Sequence, residues 1–229
     1  MDSDVVILAG GLGTRLSHLI PDLPKPMAPV NGKPFLEILL EQLSSYNFKR
    51  VILSVGHKYE KIESYFGNSF KNIELKYCIE ETPLGTGGAI KKAISMCNTD
   101  NIFILNGDTY FDVDFNEMME SHLKLNSDVS IAVKKLKNFD RYGTVTFIEN
   151  KINGFFEKKP TSEGFINGGT YLLTPGKIKL EEYQNKFSFE KDFLEMKFNE
   201  LNFNAFISDK YFIDIGIPED YKIACSYFK

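Results

Sequence analysis

A short apolar run that ends in a glycine-rich turn is the feature that most constrains the fold of this chain. Residues 5–9 are too few for a helix and rich in branched side chains, which is typical of a strand buried on both faces of a parallel sheet. The turn that follows contains Gly10, Gly11 and Gly13. Because glycine has no Cβ, such a turn can bring successive N–H groups close to the phosphate oxygens of a ligand.

Strand-like runs alternate with helical periodicity along the rest of the chain, as in the strand-like residues 51–55 and 102–105. A length of 229 residues suits one large domain and is short for two well-cored ones, so we expect one domain over residues 1–229. The pattern predicts an α/β fold: a single-domain, Rossmann-like, mostly parallel mixed sheet with helices on both faces.

The side chains after the glycines favour a phosphate ligand over a plain turn. Thr14 and Arg15 offer a hydroxyl and a planar fork of donors, and Lys25 supplies a positive charge between two prolines. A dinucleotide-binding loop would need a third glycine where Leu16 stands, and a P-loop would need Gly-Lys-Ser/Thr. A protein kinase would need His-Arg-Asp and Asp-Phe-Gly sequences, and neither occurs.

Composition excludes several kinds of partner. A net charge of −4 argues against a general nucleic-acid or membrane surface, because both need a basic face. Three scattered cysteines without metal-type spacing predict neither a disulfide framework nor a zinc site, and with no export signal they favour a cytoplasmic location. The aromatic content fits a core or an interface, so a homo-oligomer stays open.

Taken together, Gly-Gly-x-Gly-Thr-Arg-Leu at residues 10–16 and Pro-Lys-Pro at residues 24–26 resemble the signature of the sugar-phosphate nucleotidyltransferases, the NDP-sugar pyrophosphorylases. The resemblance extends over nearly the whole chain. It implies that Arg15 and Lys25 are catalytic. It also implies nucleotide binding by Leu8, Gly10, Gly11, Gly13, Thr14, Glu80 and Gly85. Some relatives append a left-handed β-helix, and we expect no C-terminal β-helix and no acyltransferase activity here.

Two aspartates stand at the ends of strand-like runs, in Asn-Gly-Asp at Asp108 and in Asp-Ile-Gly-Ile-Pro from Asp214. Either aspartate alone also fits a turn or a helix cap. In the family that the chain resembles, these two positions supply the metal carboxylates. The resemblance therefore implies a Mg²⁺ cofactor held by Asp108 and Asp214, because carboxylate oxygens are ligands that this cation prefers.

Glu80 is the predicted determinant of the base. Pyrimidine-using relatives commonly carry Gln at this place, five residues before Gly85. A carboxylate only accepts hydrogen bonds and can take both adjacent donors of guanine, the N1–H and the amino group. We therefore expect GTP as the nucleotide, with Glu81 as a second candidate for the same contact.

The second half of the chain resembles the family's sugar-phosphate side. The resemblance implies sugar-phosphate binding by Gly143, Glu157, Lys158 and Asn167, although Lys159 departs from the family pattern at a place where relatives carry proline or glycine. The motifs look most like the short guanylyltransferases that act on D-glycero-D-manno-heptose 1-phosphate, which serve bacterial surface polysaccharides. The partners expected are thus GTP and a sugar 1-phosphate.

Other functions stay open at this point. The sugar substrate could be mannose 1-phosphate in place of the heptose 1-phosphate. A UTP- or dTTP-dependent glucose-1-phosphate nucleotidyltransferase is a further alternative. A nucleotide-sensing regulatory subunit would keep the fold without the chemistry, but the arginine, the lysine and both aspartates are all present.

Overall fold

In the computed structural model, residues 2–11, 22–156 and 158–228 are described. The strands are β1 (Asp4–Leu8), β2 (Pro29–Val30), β3 (Lys33–Pro34), β4 (Arg50–Val55), β5 (Ser69–Phe70), β6 (Ile73–Ile79), β7 (Ile102–Asn106), β8 (Thr109–Phe111), β9 (Val129–Phe139), β10 (Thr144–Ile148), β11 (Lys151–Phe156), β12 (Thr161–Leu173), β13 (Phe203–Ile207) and β14 (Phe212–Asp214). The α-helices are α1 (Phe35–Ser45), α2 (Tyr59–Phe66), α3 (Gly85–Ile94), α4 (Phe115–Lys124), α5 (Pro175–Ile178), α6 (Glu195–Lys197) and α7 (Pro218–Tyr227). Two 3-10 turns (Lys25–Met27 and Leu180–Glu182) and a π-helical turn (Phe189–Leu194) complete the set.

Four parallel strands, β6-β4-β1-β7, form one half of the central sheet. The chain order reverses at β1, because β4 and β6 lie on one side of it and β7 lies on the other. In open α/β sheets, ligands bind in the crevice at the carboxyl ends of the strands where the order reverses. The loops that leave β1 and β7 at this edge carry Gly10 and Asp108.

The expectation of a mostly parallel sheet is wrong for the other half. The full order is β10-β11-β13-β9-β12-β7-β1-β4-β6-β5, and antiparallel pairings outnumber parallel ones in the described part of this sheet. The connection from β10 to β11 is only two residues long. Such a short connection makes a hairpin, whereas a parallel pair needs a crossover of a dozen residues or more.

Helices cover both faces of the sheet, as the sequence predicts. Val5 and Ile7 of β1 lie in one apolar cluster with α1, α2 and α4, whereas Val6 lies in a second cluster with α3 and Phe193 of the π-helical turn. Alternate residues of β1 therefore contribute to two separate cores, which explains why the run is apolar at every position. Among the helices in the described ranges, none is both long and apolar enough to cross a membrane.

His122 on α4 is a buried histidine with a structural role. Its ring nitrogens lie 2.8 Å from Ser130 Oγ and 2.9 Å from Thr174 Oγ1. Burial, helped by the nearby Lys177, lowers the pKa of His122 to about 4. The folded protein therefore keeps this ring neutral at a pH where an unfolded chain would protonate it.

This difference predicts an acid-dependent loss of stability. Because the unfolded state binds the proton more tightly, the contribution of His122 to the free energy of unfolding is full above pH ~6.5. It falls by about 1.4 kcal/mol per pH unit towards pH ~4. Urea unfolding of the wild type and of His122→Gln between pH 7 and 5 should show a flatter profile for the variant. His57→Gln, which changes an exposed histidine, is the matched control, and equal slopes for all three proteins would contradict the prediction.

Candidate active site

The turn after β1 begins in a tight contact between backbone and side chain. A Cβ on Gly10 would lie 2.7 Å from Glu80 Oε1, so only glycine fits here without moving that carboxylate. Gly11 is exposed, with nothing within 4 Å of a Cβ added there. The other predicted residues of this loop, Gly13, Thr14 and Arg15, lie outside the described residues, and their roles stay predictions.

Leu8 links the glycine turn to the loop that carries Asp108. The Gly107 N–H donates to the Leu8 carbonyl oxygen at 3.0 Å, and a Cβ on Gly107 would lie 2.6 Å from that oxygen. The backbones that follow β1 and β7 are therefore in direct contact. In this way the sheet brings the beginning of the predicted phosphate loop and Asp108 to the same edge.

Glu80 lies at the end of β6 and is held in place from two sides. Its Oε1 accepts a hydrogen bond from Ser54 Oγ at 3.1 Å, and its Oε2 accepts one from the Leu84 N–H at 3.3 Å. Glu81 is exposed. Of the two glutamates that the sequence offers for base recognition, the structure thus places Glu80 against the glycine turn and leaves Glu81 at the surface.

Gly85 begins α3 in a conformation that favours glycine. Its φ is +72°, and an added Cβ would lie 2.5 Å from the Phe187 carbonyl oxygen. The segment before the π-helical turn therefore packs directly on the first turn of α3. Gly87 continues this contact, because its N–H donates to the Phe187 carbonyl oxygen at 3.0 Å.

Lys25 and the two aspartates meet at one place, although they are far apart in the sequence. Lys25 Nζ donates to Asp108 Oδ2 at 2.5 Å, and a Cβ on Gly216 would lie 3.3 Å from Lys25 Nζ and 2.8 Å from Asp214 Oδ1. Asp214 pairs with Thr109 across the two-stranded sheet of β8 and β14. The structure thus brings together the catalytic lysine and the two metal carboxylates that the sequence predicts.

The electrostatics of this cluster are those of a partly compensated acidic site. Burial and the neighbouring Asp108 carboxylate raise the pKa of Asp214, whereas Lys25, the Gly216 N–H and Arg141 oppose that rise. The Gly216 N–H donates to Asp214 Oδ1 at 2.6 Å. Asp214 is thus a buried carboxylate beside a second one, and its cationic and N–H partners compensate its charge only in part. Such a pair of carboxylates is a donor set that fits a divalent cation.

Three of the four predicted sugar-phosphate residues line one cavity of about 370 Å³. These are Gly143, Lys158 and Asn167, whereas Glu157 lies outside the described residues. Lys158 is on the cavity wall, and Lys159 is not among the described residues that form it. The cavity lies between the antiparallel half of the sheet and the π-helical turn, and Asn106 at the end of β7 also lines it.

Asn167 is oriented within this cavity by its neighbours on β12. Its Nδ2 donates to Tyr171 Oη at 2.9 Å, and its Oδ1 accepts from the Gly169 N–H at 3.0 Å. An amide has two donor hydrogens and two acceptor positions, so each end of the side chain keeps capacity for a ligand hydroxyl. This arrangement suits a polyol ligand, as the sequence predicts.

Sequence reasoning did not find Glu190 and Lys191, which lie on the π-helical turn and also line the cavity. The segment Ser-Phe-Glu-Lys at residues 188–191 carries no motif, and no periodicity separates it from the surrounding charged residues. The signal that identifies these residues is the packing of Phe187 on Gly85 and Gly87, which the sequence does not show.

A second missed feature is the ion pair between Arg141 and Asp220. Arg141 Nη2 donates to Asp220 Oδ2 and lies 3.3 Å from Tyr142 Oη. The pair joins the loop before Gly143 to the first turn of α7, close to Asp214. It therefore orients one wall of the cavity relative to the carboxylate cluster.

The chain is similar to known proteins over nearly all of its length. A family model described as Nucleotidyl transferase matches residues 4–227. The D-glycero-alpha-D-manno-heptose 1-phosphate guanylyltransferase of Aneurinibacillus thermoaerophilus is 49% identical over 221 residues, which are 96% of each chain. The protein of the same name from Campylobacter jejuni is 50% identical over 218 residues, which are 94% of this chain and 96% of the relative.

Solved structures agree with this result. HddC from Yersinia pseudotuberculosis superposes with a TM-score of 0.90 at 44% identity, and its complex with GMP-PN superposes with a TM-score of 0.87 at 42% identity. Both comparisons cover 99% of this chain and 100% of the other chain. The α/β fold with a mixed sheet is confirmed, and so is the family resemblance that the motifs indicate.

The raised pKa of Asp214 predicts a trade-off between stability and metal binding. Replacing Asp214 with Asn keeps an acceptor for the Gly216 N–H and removes a charge that burial and Asp108 disfavour. We expect Asp214→Asn to gain on the order of 1 kcal/mol in the free energy of unfolding at pH 7 in EDTA, and to lose affinity for Mg²⁺ or Mn²⁺.

Urea unfolding and isothermal titration calorimetry measure the two quantities. Asp100→Asn, which changes an exposed aspartate, is the matched control and should alter neither. A variant of Asp214 that is less stable than the wild type and binds the ion normally would contradict this account of the cluster.

Proposed function

We infer that this chain, which belongs to the nucleotidyl transferase family, is a sugar-1-phosphate guanylyltransferase. It joins GTP and D-glycero-alpha-D-manno-heptose 1-phosphate to give GDP-heptose and pyrophosphate. The observation that carries this conclusion is the near 50% identity, over almost the full length of both chains, to two proteins of that activity. The related HddC structure with GMP-PN supports a guanine nucleotide as one substrate.

The reaction brings two polyanions together. An oxygen of the sugar 1-phosphate attacks the α-phosphorus of GTP, and the bond from that phosphorus to the departing pyrophosphate breaks. No covalent bond to the protein is needed, so the task of the chain is to position the substrates and to stabilise the charge that builds up at the α-phosphorus. The Rossmann-like part of the fold would be β6-β4-β1-β7, whose carboxyl ends form the nucleotide side of the site.

The surroundings of Lys25 support a role at the reacting phosphates. Its ammonium group is mostly buried and lies beside Asp108 and Asp214, at the edge where the loops after β1 and β7 meet. We propose that Lys25 and Arg15 hold the triphosphate together with the backbone N–H groups of Gly10, Gly11 and Gly13. Thr14 belongs to the same loop.

Asp108 and Asp214 are the residues that would hold Mg²⁺. When bound, the ion supplies positive charge that offsets the α-phosphate and the leaving pyrophosphate. The cluster fits it because burial and mutual repulsion disfavour the charge of Asp214 in the absence of a cation. The backbone supports the pair, since the Ile215 N–H donates to the Asp108 carbonyl oxygen at 2.9 Å.

The nucleotide base and the sugar are assigned to opposite sides of this cluster. We propose that Glu80 accepts hydrogen bonds from guanine, with Leu8 and Gly85 contributing backbone to the same side. On the other side, Lys158 contacts the sugar phosphate, and Asn167, Gly143 and Glu157 contact the sugar. The cavity of about 370 Å³ gives room for a sugar of this size.

The expected setting is the cytoplasm of a bacterium that makes a surface polysaccharide. Cys78, Cys97 and Cys225 are all free thiols, which supports a reducing compartment. The product would serve as an activated sugar donor in that synthesis.

The proposed activity predicts that Lys25 is required for turnover. With GTP, Mg²⁺ and the heptose 1-phosphate, the wild type should release pyrophosphate and form GDP-heptose, measured by a coupled assay and by mass spectrometry. Lys25→Ala should lose about a hundredfold or more in kcat, because a charged contact in the transition state is removed. Its circular dichroism spectrum should match that of the wild type.

Lys33→Ala is the matched control, because Lys33 is an exposed lysine whose ion pairs are at the surface. Near-normal turnover by Lys25→Ala would refute the role of Lys25. A wild type that forms no GDP-sugar from either the heptose 1-phosphate or mannose 1-phosphate would refute the function itself.

Base recognition by Glu80 predicts a change in nucleotide preference. In Glu80→Gln the amide offers guanine only one acceptor oxygen, and its NH₂ group faces a donor. We expect kcat/KM for GTP to fall by about 10- to 100-fold relative to UTP, since an unmatched buried donor is costly. Glu81→Gln should keep the wild-type ratio of kcat/KM for GTP to kcat/KM for UTP. If this ratio falls in Glu81→Gln and not in Glu80→Gln, Glu81 is the residue that recognises the base.

A further inference from the structure

We propose that Glu190 is a specificity-determining residue that accepts a hydrogen bond from a hydroxyl of the sugar, and that Thr86 is the positioning residue that holds it. This inference rests on the proposed function, because it concerns the sugar site of that reaction. The motifs gave Glu190 no role, and its place on the cavity wall comes from the structure alone.

Glu190 lies on a short π-helical turn that buried aromatic side chains hold in place. It is the second residue of the π-helical turn, and in the sequence it lies between Phe189 and Phe193, whose side chains are fully buried. These two rings stack on each other at a centroid distance of 5.1 Å. π-helical turns are rare and often occur at functional sites. Here the buried rings anchor the turn while Glu190 lines the cavity.

The carboxylate of Glu190 is held through one of its two oxygens. Oε2 accepts hydrogen bonds from Thr86 Oγ1 at 2.6 Å and from Ser188 Oγ at 3.1 Å. No hydrogen bond from the described part of the chain reaches Oε1. A side chain fixed at one oxygen, with the other available on a cavity wall, is preorganised to accept from a ligand.

Charge decides which part of the ligand Glu190 meets. A carboxylate only accepts hydrogen bonds, and it repels the phosphate of a sugar 1-phosphate. The phosphate therefore belongs near Lys158, which lines the same cavity, and Glu190 faces the hydroxyl groups. A hydrogen bond from a hydroxyl to a carboxylate is stronger than one between neutral groups, so it discriminates well between sugars.

Thr86 connects Glu190 to the nucleotide side of the site. It lies in the first turn of α3, next to Gly85, and its hydroxyl donates to Glu190 while accepting from the Phe189 N–H at 2.9 Å. This one side chain therefore fixes both the backbone of the π-turn and the carboxylate. Removing its hydroxyl would release the Phe189 N–H and would free the carboxylate of Glu190 to rotate.

Steady-state kinetics on the Mg²⁺-loaded enzyme test the proposal. In Glu190→Ala the KM for the heptose 1-phosphate should rise by about tenfold or more, whereas the KM for GTP should change less than about twofold. Glu190→Gln should give an intermediate rise, since its amide still accepts from Thr86 and Ser188. Thr86→Val should raise the same KM, and Thr86→Ser should restore it.

Glu182→Ala is the control for loss of a surface glutamate, because Glu182 pairs with Lys179 on an exposed helix end. Thermal unfolding of every variant shows whether the fold is kept. If Glu190→Ala fails to fold, the KM of Glu190→Gln for the heptose 1-phosphate is the test. An unchanged KM for the sugar phosphate in a folded Glu190 variant, or equal rises in both KM values, would overturn the proposal.

The result also separates this inference from the function on which it rests. A wild type that makes GDP-heptose, together with a Glu190 variant that keeps the wild-type KM values, refutes the inference alone. A wild type without activity refutes the function. Mannose 1-phosphate as a second substrate identifies the hydroxyl that contacts Glu190. If the Glu190 variant raises the KM equally for both sugar phosphates, the contact is to a hydroxyl that they share. If the KM rises only for the heptose 1-phosphate, the contact is to its extra hydroxyl.

Discussion

The central constraint on this structure is that two carboxylates lie close together at a partly buried site. Backbone and side-chain contacts from several elements hold them there and offset part of the electrostatic cost. Burial and the Asp108 carboxylate disfavour the charge of Asp214, and Lys25, the Gly216 N–H and Arg141 offset only part of that effect. The backbone holds them in place, since β8 and β14 form a small sheet of their own and the Gly216 N–H fixes one oxygen of Asp214. This arrangement suits a divalent cation, because a bound cation would offset the negative charge of the two carboxylates.

The central sheet supplies the rigid frame for that cluster. β1 contributes to both apolar cores, so its carboxyl end is fixed from both faces, and the loop after it contacts the loop after β7 through Leu8 and Gly107. This contact needs glycine at Gly107, where a Cβ would lie 2.6 Å from the Leu8 carbonyl oxygen. Gly10 is constrained by a different neighbour, because a Cβ there would lie 2.7 Å from Glu80 Oε1. Gly107 therefore lets the two loops pack together, and Gly10 leaves room for the Glu80 carboxylate.

Much of this site could be predicted from the sequence, and the limits of that prediction are physical. The buried strand before Gly10, the lysine between two prolines at Lys25 and the two strand-end aspartates are local patterns that indicate what lies at one edge of a parallel sheet. The antiparallel half is different, because β9 and β12 pair over long stretches with a register shift between Asn167 and Tyr171, and no local pattern determines that pairing. Glu190 was missed for the same reason: its position depends on Phe187 packing against α3, which is about 100 residues earlier in the chain.

The two halves of the sheet thus make separable contributions to one site. Parallel strands end at a common edge, so they place groups such as Asp108 and Glu80 in fixed positions on the nucleotide side that we propose. Antiparallel strands and the π-helical turn form the walls of a cavity, where side chains can change without disturbing the frame. The halves are joined directly, because β7 pairs with β12 and both strands contribute to one apolar cluster. Side-chain contacts also bridge them, among them the hydroxyl of Thr86 between α3 and Glu190, and the ion pair of Arg141 with Asp220. A fold built in this way can change its sugar by altering the walls while it keeps its chemistry, provided that such bridging contacts still hold the walls at the right distance from the carboxylates.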